Sequence, residues 1–346
     1  MSELLRELDE MPLSLLETEA SGLHDVLGGP TLFHLQGHRE PALFVCVLMH
    51  GNETGGWDAI RHVLHDCLDS DGLNLPRSLS LFIGNTEAAQ QGVRHLPDQP
   101  DYNRVWPGSE THGMPEHELM KSVMDLMADR EIFAAIDLHN NTGLNPHYAC
   151  VNVLEHQSLH LAALFGRTVV YFVRPRGVAS MAMAALGPSV TLECGKVGQE
   201  HGVEHATDYL RACLHLSEIP SHAVPIHDID LYHTVAVVRV PAEKTFAFGG
   251  QDSAINFPRD LDRMNFRELP VGSLIAECHP ETELPLDVRD EQDRQVAEQY
   301  FMLEDGRLVT RVPVMPSMLT CNPEVIRQDC LCYLMERYND HLADAG

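Results

Sequence analysis

A histidine and a glutamate three residues apart follow an apolar run, LFVCVLM, at residues 43–49. His50 and Glu53 belong to the stretch HGNETGG, in which glycines allow a sharp turn that would bring Glu53 back beside His50. Imidazole nitrogen and carboxylate oxygen are both zinc ligands, and catalytic zinc commonly takes three protein ligands and a water. The pair therefore predicts part of a metal site that needs a third ligand.

The spacing by itself is weak evidence, because the chain contains 21 histidines and repeats the pattern elsewhere. His201 with Glu204 and His215 with Glu218 lie in or next to a predicted helix, where residues three apart share a face. We expect those pairs to be solvated. His50 differs because it follows a buried strand, and ligands of open α/β sheets bind beyond the carboxyl ends of the strands.

The third ligand is predicted in a second apolar stretch, IFAAIDLH, which ends in His139 and continues into the polar segment NNTG. Two strands of one sheet would deliver His50 and His139 to the same edge; the alternative is two unrelated histidines at strand ends. We predict one zinc ion per chain, bound by His50, Glu53 and His139. Asp137 shares a strand face with His139, and it either orients that imidazole or is a buried acid paired elsewhere.

A carboxylate inside a third apolar run, SVTLEC, could transfer the protons that hydrolysis requires. Metal-assisted amide cleavage needs a base for the water and a proton donor for the leaving amine. Burying an acid in such a run is costly unless it has a purpose. We predict that Glu193 is the general acid and base, the alternative being a structural ion pair, for instance with Lys196.

Alternating strands and helices up to about residue 216 predict the elements that position these side chains. The pattern indicates an α/β domain over residues 1–220 with a mostly parallel sheet, whose strands would be continuous apolar runs. Shorter β-like runs broken by Pro, Gly and Asp predict a smaller β-rich domain of sandwich or barrel type over residues 221–346. Amphipathic helices are predicted at the two ends, over residues 3–19 and 323–338.

Charge and composition narrow the class of protein. A formal net charge of −27 argues against a nucleic-acid partner, since phosphate binding needs a basic surface. The apolar runs are too short to cross a bilayer, and the N-terminus is acidic where a secretory signal is basic. Nine scattered cysteines without a C-x-x-C pair are typical of reduced thiols. We therefore expect a cytoplasmic protein without a membrane partner; a homo-oligomer is compatible with the sequence.

Four ordered stretches, HGNETGG, YNRVWPG, DLHNNTG and TLECGK, resemble the zinc-dependent succinylglutamate desuccinylase/aspartoacylase family, which is similar in catalytic fold to zinc carboxypeptidases. The resemblance covers about residues 40 to 205 and extends to the C-terminal part in outline. It implies a mixed, mostly parallel sheet flanked by helices, with a smaller β-rich C-terminal domain. It also implies zinc on His50, Glu53 and His139, with Glu193 as general acid and base.

The resemblance assigns substrate contacts as well. It implies that Asn103 and Arg104 hold a substrate carboxylate and that Arg94 polarises the scissile carbonyl. Tyr300 resembles a tyrosine that reaches the substrate from the C-terminal domain.

Two aromatic residues depart from the family pattern, and two further arginines could bind a carboxylate. Tyr102 and Trp106 stand where members usually have leucine and phenylalanine, which would alter the size of the pocket. Arg174 and Arg176 are further carboxylate-binding candidates near the predicted sheet edge, although for either one a surface ion pair is the more ordinary role.

The expected function is zinc-dependent hydrolysis of the amide bond of an N-acyl amino acid, a small-molecule substrate whose free carboxylate suits recognition by arginine. One alternative is a zinc carboxypeptidase that acts on a peptide or cell-wall fragment, which a C-terminal domain capping the site would exclude. Another is a catalytically silent metal-binding protein on the same fold, which would have no physical need for Glu193.

Overall fold

The computed structural model describes residues 4–225, 227–250, 253–279 and 283–338. Within these ranges no helix is both long and apolar enough to cross a membrane. The strands before residue 200 are β1 (Arg6–Leu8), β2 (Thr31–Leu35), β3 (Ala42–Val47), β4 (Leu68–Asp69), β5 (Gly72–Leu73), β6 (Leu79–Ile83), β7 (Ile132–Asn141), β8 (Tyr148–Val151), β9 (Thr168–Tyr171) and β10 (Ser189–Lys196). The later strands are β11 (Asp230–Arg239), β12 (Phe246–Phe248), β13 (Ile255–Phe257), β14 (Leu274–Cys278), β15 (Asp287–Asp290), β16 (Phe301–Glu304), β17 (Arg307–Thr310), β18 (Met315–Ser317) and β19 (Cys332–Arg337).

The described α-helices are mostly short and surround the sheet. They are α1 (Leu23–Leu27), α2 (Gly55–Asp66), α3 (Thr86–Gln91), α4 (Pro115–Ala128), α5 (His156–Phe165), α6 (Ala179–Met183), α7 (Glu200–His215), α8 (Ala297–Tyr300) and α9 (Pro323–Gln328).

One large mixed sheet organises the molecule. Its strand order is β1-β2-β6-β3-β7-β10-β8-β9-β11-β19-β18, and β15 also pairs with β11. The central strands β6, β3, β7 and β10 are parallel to one another. Antiparallel pairings occur at β2 with β6, at β8 with β10 and beyond β11.

Helices cover both faces of the central strands, which explains their unbroken apolar sequences. Val45 of β3 belongs to the apolar cluster that includes residues of α2, α5 and α7. Its neighbour Phe44 points the other way, into a cluster with residues of α4 and α6. The predicted fold class, a mixed sheet flanked by helices with a smaller β-rich C-terminal sheet, is confirmed.

The smaller sheet has the order β12-β13-β14-β17-β16. Its apolar residues, such as Phe257 and Leu308, share a cluster with Val238 and Leu334 of the large sheet. The large sheet thus continues well past residue 220, through β11, β15, β18 and β19. The division into domains at that residue stays a prediction.

Both predicted terminal helices are wrong over most of their length. The segment predicted as a helix over residues 3–19 contains β1 and a 3-10 helix at Leu13–Glu17. Pro12 lies between them, and proline and the residue before it both disfavour a continuous α-helix. At the other end, α9 stops at Gln328 and Cys332–Arg337 forms β19, because it pairs with β11 and β18 in the large sheet.

Candidate metal and active site

A cavity of about 90 Å³, partly open to solvent, lies at the carboxyl ends of the central parallel strands. Every predicted site residue except Tyr300 lines it: His50, Glu53, Arg94, Asn103, Arg104, His139 and Glu193. Residues from the C-terminal part, including Met318, Asp329 and Tyr333, form another part of the wall.

The register of two strands brings the two histidines together. β3 pairs with β7 so that Cys46 lies beside Asp137, which places His50 and His139 at the same edge of the sheet. The Nδ1 atom of His50 lies 2.8 Å from Glu53 Oε1, and the Nδ1 atom of His139 lies 2.8 Å from Glu53 Oε2. All three side chains are buried.

The glycines after His50 act through close packing rather than through the sharp turn we expected. None of Gly51, Gly55 and Gly56 has a positive φ. A Cβ atom on Gly55 would lie 2.7 Å from the Asn140 side-chain oxygen, and one on Gly51 would lie 2.2 Å from a backbone nitrogen. The side-chain oxygen of Asn140 instead accepts a hydrogen bond of 3.0 Å from the Gly55 backbone N–H. The backbone N–H of Asn140 donates to Glu53 Oε2 at 3.0 Å.

A second carboxylate lies behind each imidazole. His50 Nε2 is 3.0 Å from Asp101 Oδ1, and His139 Nε2 is 3.0 Å from Asp137 Oδ2. Metal-binding histidines usually donate their other ring N–H to such a partner, which fixes the tautomer and the ring orientation. The first of the two alternatives for Asp137 is therefore the one seen. Asp101 was missed, although its position directly before the YNR motif was a usable signal.

These groups are strongly coupled electrostatically. Burial alone would raise the pKa of Glu53, but His50 and His139 lower it well below its usual range. Burial opposes a charge on His139, yet Asp137 and Glu53 raise its pKa well above its usual value. Opposite shifts of this kind are expected where imidazoles and a carboxylate converge on one point.

The donor set fits a metal ion. Ligand atoms of His50, Glu53 and His139 all lie within 4.8 Å of one another, and no other such group of three occurs in the described part of the chain. Two imidazoles and one carboxylate form a known ligand set of catalytic zinc. The inward direction of both Nδ1 atoms and the outer carboxylates on both Nε2 atoms make the arrangement suitable for holding an ion.

Glu193 lies directly beside the metal-ligand candidates. It is the register partner of His139 in the neighbouring parallel strand, and its side chain is buried. Its Oε2 accepts a hydrogen bond from the Asn141 side-chain amide. Burial raises its pKa to about 7. Lys196, offered as the alternative ion-pair partner, is exposed at the end of the strand.

The two predicted arginines are both held by carboxylates of the chain itself. Arg94 donates from Nε and Nη2 to Asp101 Oδ2 at 3.1 and 2.8 Å, and from Nη2 to Asp329 Oδ2 at 3.2 Å. Arg104 donates from Nη2 to both oxygens of Asp329 at 3.0 and 3.1 Å, and from Nη1 to the Asn103 carbonyl at 2.8 Å. Asp329 was missed, because no motif distinguishes it within a segment predicted to be helical.

The side chain of Asn103 is engaged within the protein. Its Nδ2 lies 3.1 Å from His139 Nε2, and its Oδ1 accepts a hydrogen bond of 3.0 Å from the Ala179 amide at the start of α6. Asn103 therefore links the metal-ligand candidates to the cavity wall.

The structure does not bring Tyr300 to the site. Tyr300 packs against the apolar cluster of the C-terminal part and is not among the described residues that line the cavity. Two other tyrosines, Tyr148 and Tyr333, do line it. Tyr102 and Trp106 lie in the apolar cluster behind the site, so they do not set the width of the pocket directly as expected.

The two further arginines differ in position. Arg174 lines the cavity, but it donates to the Glu291 carbonyl at 2.7 Å and pairs with Glu110 at 2.8 Å. Arg176 is exposed and is not one of the described lining residues.

Comparison of the sequence with protein families and with known proteins identifies relatives of this chain. A family model for the succinylglutamate desuccinylase/aspartoacylase catalytic domain matches residues 39–217. The chain is 27% identical over 257 residues to a succinylglutamate desuccinylase of Pseudomonas fluorescens, covering 66% of this chain and 70% of that protein.

Solved structures share the fold. The succinylglutamate desuccinylase from Chromobacterium violaceum superimposes with a TM-score of 0.55 at 18% identity, over 88% of this chain and 85% of that one. Murine aminoacylase 3 gives a TM-score of 0.57 at 16% identity, over 87% of this chain and 97% of that one.

Proposed function

Because this chain belongs to the succinylglutamate desuccinylase/aspartoacylase family, we propose that it is a zinc-dependent deacylase that hydrolyses the amide bond of an N-acyl amino acid. The observation that carries the proposal is the placement of Glu193 beside the group formed by His50, Glu53 and His139. A metal-ligand set, a buried carboxyl group and an adjoining small cavity are the parts that metal-assisted hydrolysis requires.

The metal ligands would be the Nδ1 atoms of His50 and His139 and the carboxylate of Glu53. When bound, zinc lowers the pKa of a water molecule towards ~7 and polarises a carbonyl oxygen. Asp101 and Asp137 keep the two imidazoles oriented by accepting from their Nε2 atoms.

Glu193 moves the protons in this proposal. It accepts a proton from the attacking water and donates it to the nitrogen of the leaving amine. Its pKa of about 7, raised by burial, suits both roles at neutral pH, because the protonated and ionised forms are then similarly accessible. The Asn141 amide fixes the direction of the carboxyl group.

The arginines bind and stabilise negative charge. Arg94, held beside the metal ligands by Asp101, stabilises the charge that develops on the acyl oxygen. Arg104, supported by the Asn103 carbonyl, binds the free carboxylate of the substrate. Side chains such as Phe172 and Val178 give the cavity apolar surface for the rest of the molecule.

The wall contributed by the C-terminal part favours a small substrate over a peptide. Ser317, Met318, Asp329 and Tyr333 all line the cavity and limit its extent. This observation weighs against a carboxypeptidase. The buried carboxyl group of Glu193 weighs against a silent metal-binding protein, since such a protein gains nothing from its desolvation.

The proposal is tested by incubating the purified protein with a panel of N-acetyl, N-succinyl and other N-acyl amino acids, and by measuring amine release and zinc content on the same sample. We expect zinc in the protein and amine release from at least one compound. Cleavage of peptides with no release from any N-acyl amino acid would overturn the proposal in favour of a carboxypeptidase.

A further inference from the structure

Asp329 reaches from the C-terminal part of the chain into the candidate active site. It follows α9, lines the cavity, and its side chain is 15% exposed. Both of its oxygens contact Arg104 Nη2, and Oδ2 also accepts from Arg94 at 3.2 Å. A carboxylate of the protein thus occupies part of the surface of both arginines.

The charges of these arginines are matched within the chain. Arg94 pairs with Asp101 at 2.8 Å, and Arg104 pairs with Asp329 at 3.0 Å. All four side chains are largely buried, so solvent screens these pairs little. The cavity therefore contains guanidinium N–H donors without the net positive charge that two arginines would otherwise bring.

Outside the metal-ligand candidates, the described wall has no cation beyond Arg94, Arg104 and Arg174 that could pair with further negative charge. Arg174 is already paired with Glu110 and bound to the Glu291 carbonyl. Val170, Phe172 and Met318 contribute apolar surface. Burying a carboxylate in such surroundings is unfavourable because of its desolvation, unless a cation pairs with it.

These contacts have different consequences for substrates with one and with two carboxylates. The free carboxylate next to the amide bond can use the remaining donors of Arg104. A second carboxylate, on the amino-acid side chain, would have to lie against apolar residues of the wall or against the negative charge of Asp329. An uncharged amide of the same shape would avoid both costs.

Resting on the deacylase function proposed above, we infer that Asp329 is a specificity-determining residue that restricts the cavity to N-acyl amino acids carrying a single carboxylate. It does so by neutralising Arg104, as Asp101 neutralises Arg94, and by repelling a second carboxylate. The substrate class is therefore N-acyl derivatives of amino acids with uncharged side chains.

The test compares ligands that differ only in a side-chain charge. N-acetylglutamine and N-acetylglutamate, with N-acetylasparagine and N-acetylaspartate as a second pair, are titrated calorimetrically into zinc-loaded protein carrying Glu193→Gln, which slows turnover. We expect the amide member to bind at least about tenfold more tightly, since a hydrogen bond or contact with a buried charge changes affinity on that scale. Adding Asp329→Asn should shift this ratio at least about tenfold towards the acidic member.

Two further variants make the comparison specific. Asp208→Asn removes an equal charge from an exposed residue of α7 and should leave the ratio unchanged. Arg104→Gln leaves Asp329 without its closest partner and should move the ratio further towards the amides. An unchanged ratio in Arg104→Gln would overturn the inference even if Asp329→Asn does not fold.

Equal binding of acid and amide in the Glu193→Gln protein, or binding of none of the four compounds, overturns the inference. An unchanged ratio in a folded Asp329→Asn variant overturns it as well. Failure of the deacylase proposal is separate: the unmodified enzyme would then release no amine from any N-acyl amino acid, while these binding ratios would still report on Asp329.

Discussion

Glu193 and His139 occupy directly opposite positions in two neighbouring parallel strands, β10 and β7. This register places the carboxyl group that would transfer protons next to a residue that would bind the metal. Replacing Glu193 with glutamine should leave zinc bound and lower kcat by about 10²–10⁴-fold, because the amide is nearly isosteric but cannot accept a proton. Metal analysis and steady-state kinetics on one preparation measure both effects.

Glu204→Gln is the matched control for that substitution. Glu204 has the same spacing from a histidine, but it is exposed on α7. Its kcat should equal that of the unmodified enzyme. A Glu193→Gln enzyme within a few-fold of normal kcat would exclude Glu193 as the proton carrier.

The same variant should be more stable than the parent at alkaline pH. Burial raises the pKa of Glu193 from 4.5 to about 7, so the folded protein holds this proton more tightly than the unfolded chain. Folding therefore becomes less favourable as pH rises between these values, and glutamine does not incur this loss. In metal-free protein, the stability difference between variant and parent should grow by ~2 kcal/mol from pH 5 to pH 8. Denaturant unfolding at both pH values tests this, and a difference independent of pH would contradict the shift.

Asp101 should control metal affinity without touching the metal. It lies 3.0 Å from His50 Nε2 and also pairs with Arg94. Asp101→Asn weakens the acceptor that orients the imidazole, so zinc affinity should fall by about 10- to 100-fold. Competition with a chromophoric chelator measures it. Asp98→Asn, an exposed change in the same loop, should leave affinity unaltered; equal losses in the two variants would mean that only net charge matters.

Arg104 should discriminate substrates by the carboxylate next to the amide bond. Arg104→Ala is expected to lower kcat/KM for the free acid by about tenfold or more, since it removes hydrogen bonds to a charged group, and to affect the corresponding amide or ester much less. Arg104→Lys should recover only part of the loss, because an ammonium group lacks the planar fork. If both substrates lose equally in Arg104→Ala, the carboxylate-binding role is wrong.

The site residues that could be predicted are those in strong local sequence patterns on neighbouring strands of one sheet. His50, His139 and Glu193 each follow or end apolar runs, and parallel strands of one sheet bring such positions to one edge. The fold class was predictable for the same reason. The substrate contacts of Asn103, Arg104 and Arg94 were implied by the family resemblance, and Tyr300, implied in the same way, is not among the described residues that line the cavity.

The parts of the site and the fold that could not be predicted depend on contacts between segments that are distant in the sequence. Asp329 meets Arg104 only because α9 ends at Gln328 and the chain then returns to the large sheet as β19. Residues 323–338 have helical spacing in the sequence, and no neighbouring residue indicates that Cys332–Arg337 pairs with β11. Likewise β1 forms because its backbone pairs with β2, which overrides a helical pattern interrupted by Pro12.

We expect one zinc ion, held by His50, Glu53 and His139, to be required for deacylation. The most direct test is to remove metal with a chelator and to titrate zinc back while recording amine release from the best substrate of the panel. Activity should be lost on removal, rise linearly, and level off at one equivalent per chain, and His139→Ala should regain none. Full activity in metal-depleted protein, or recovery of His139→Ala at one equivalent, would show that this zinc ion is not required.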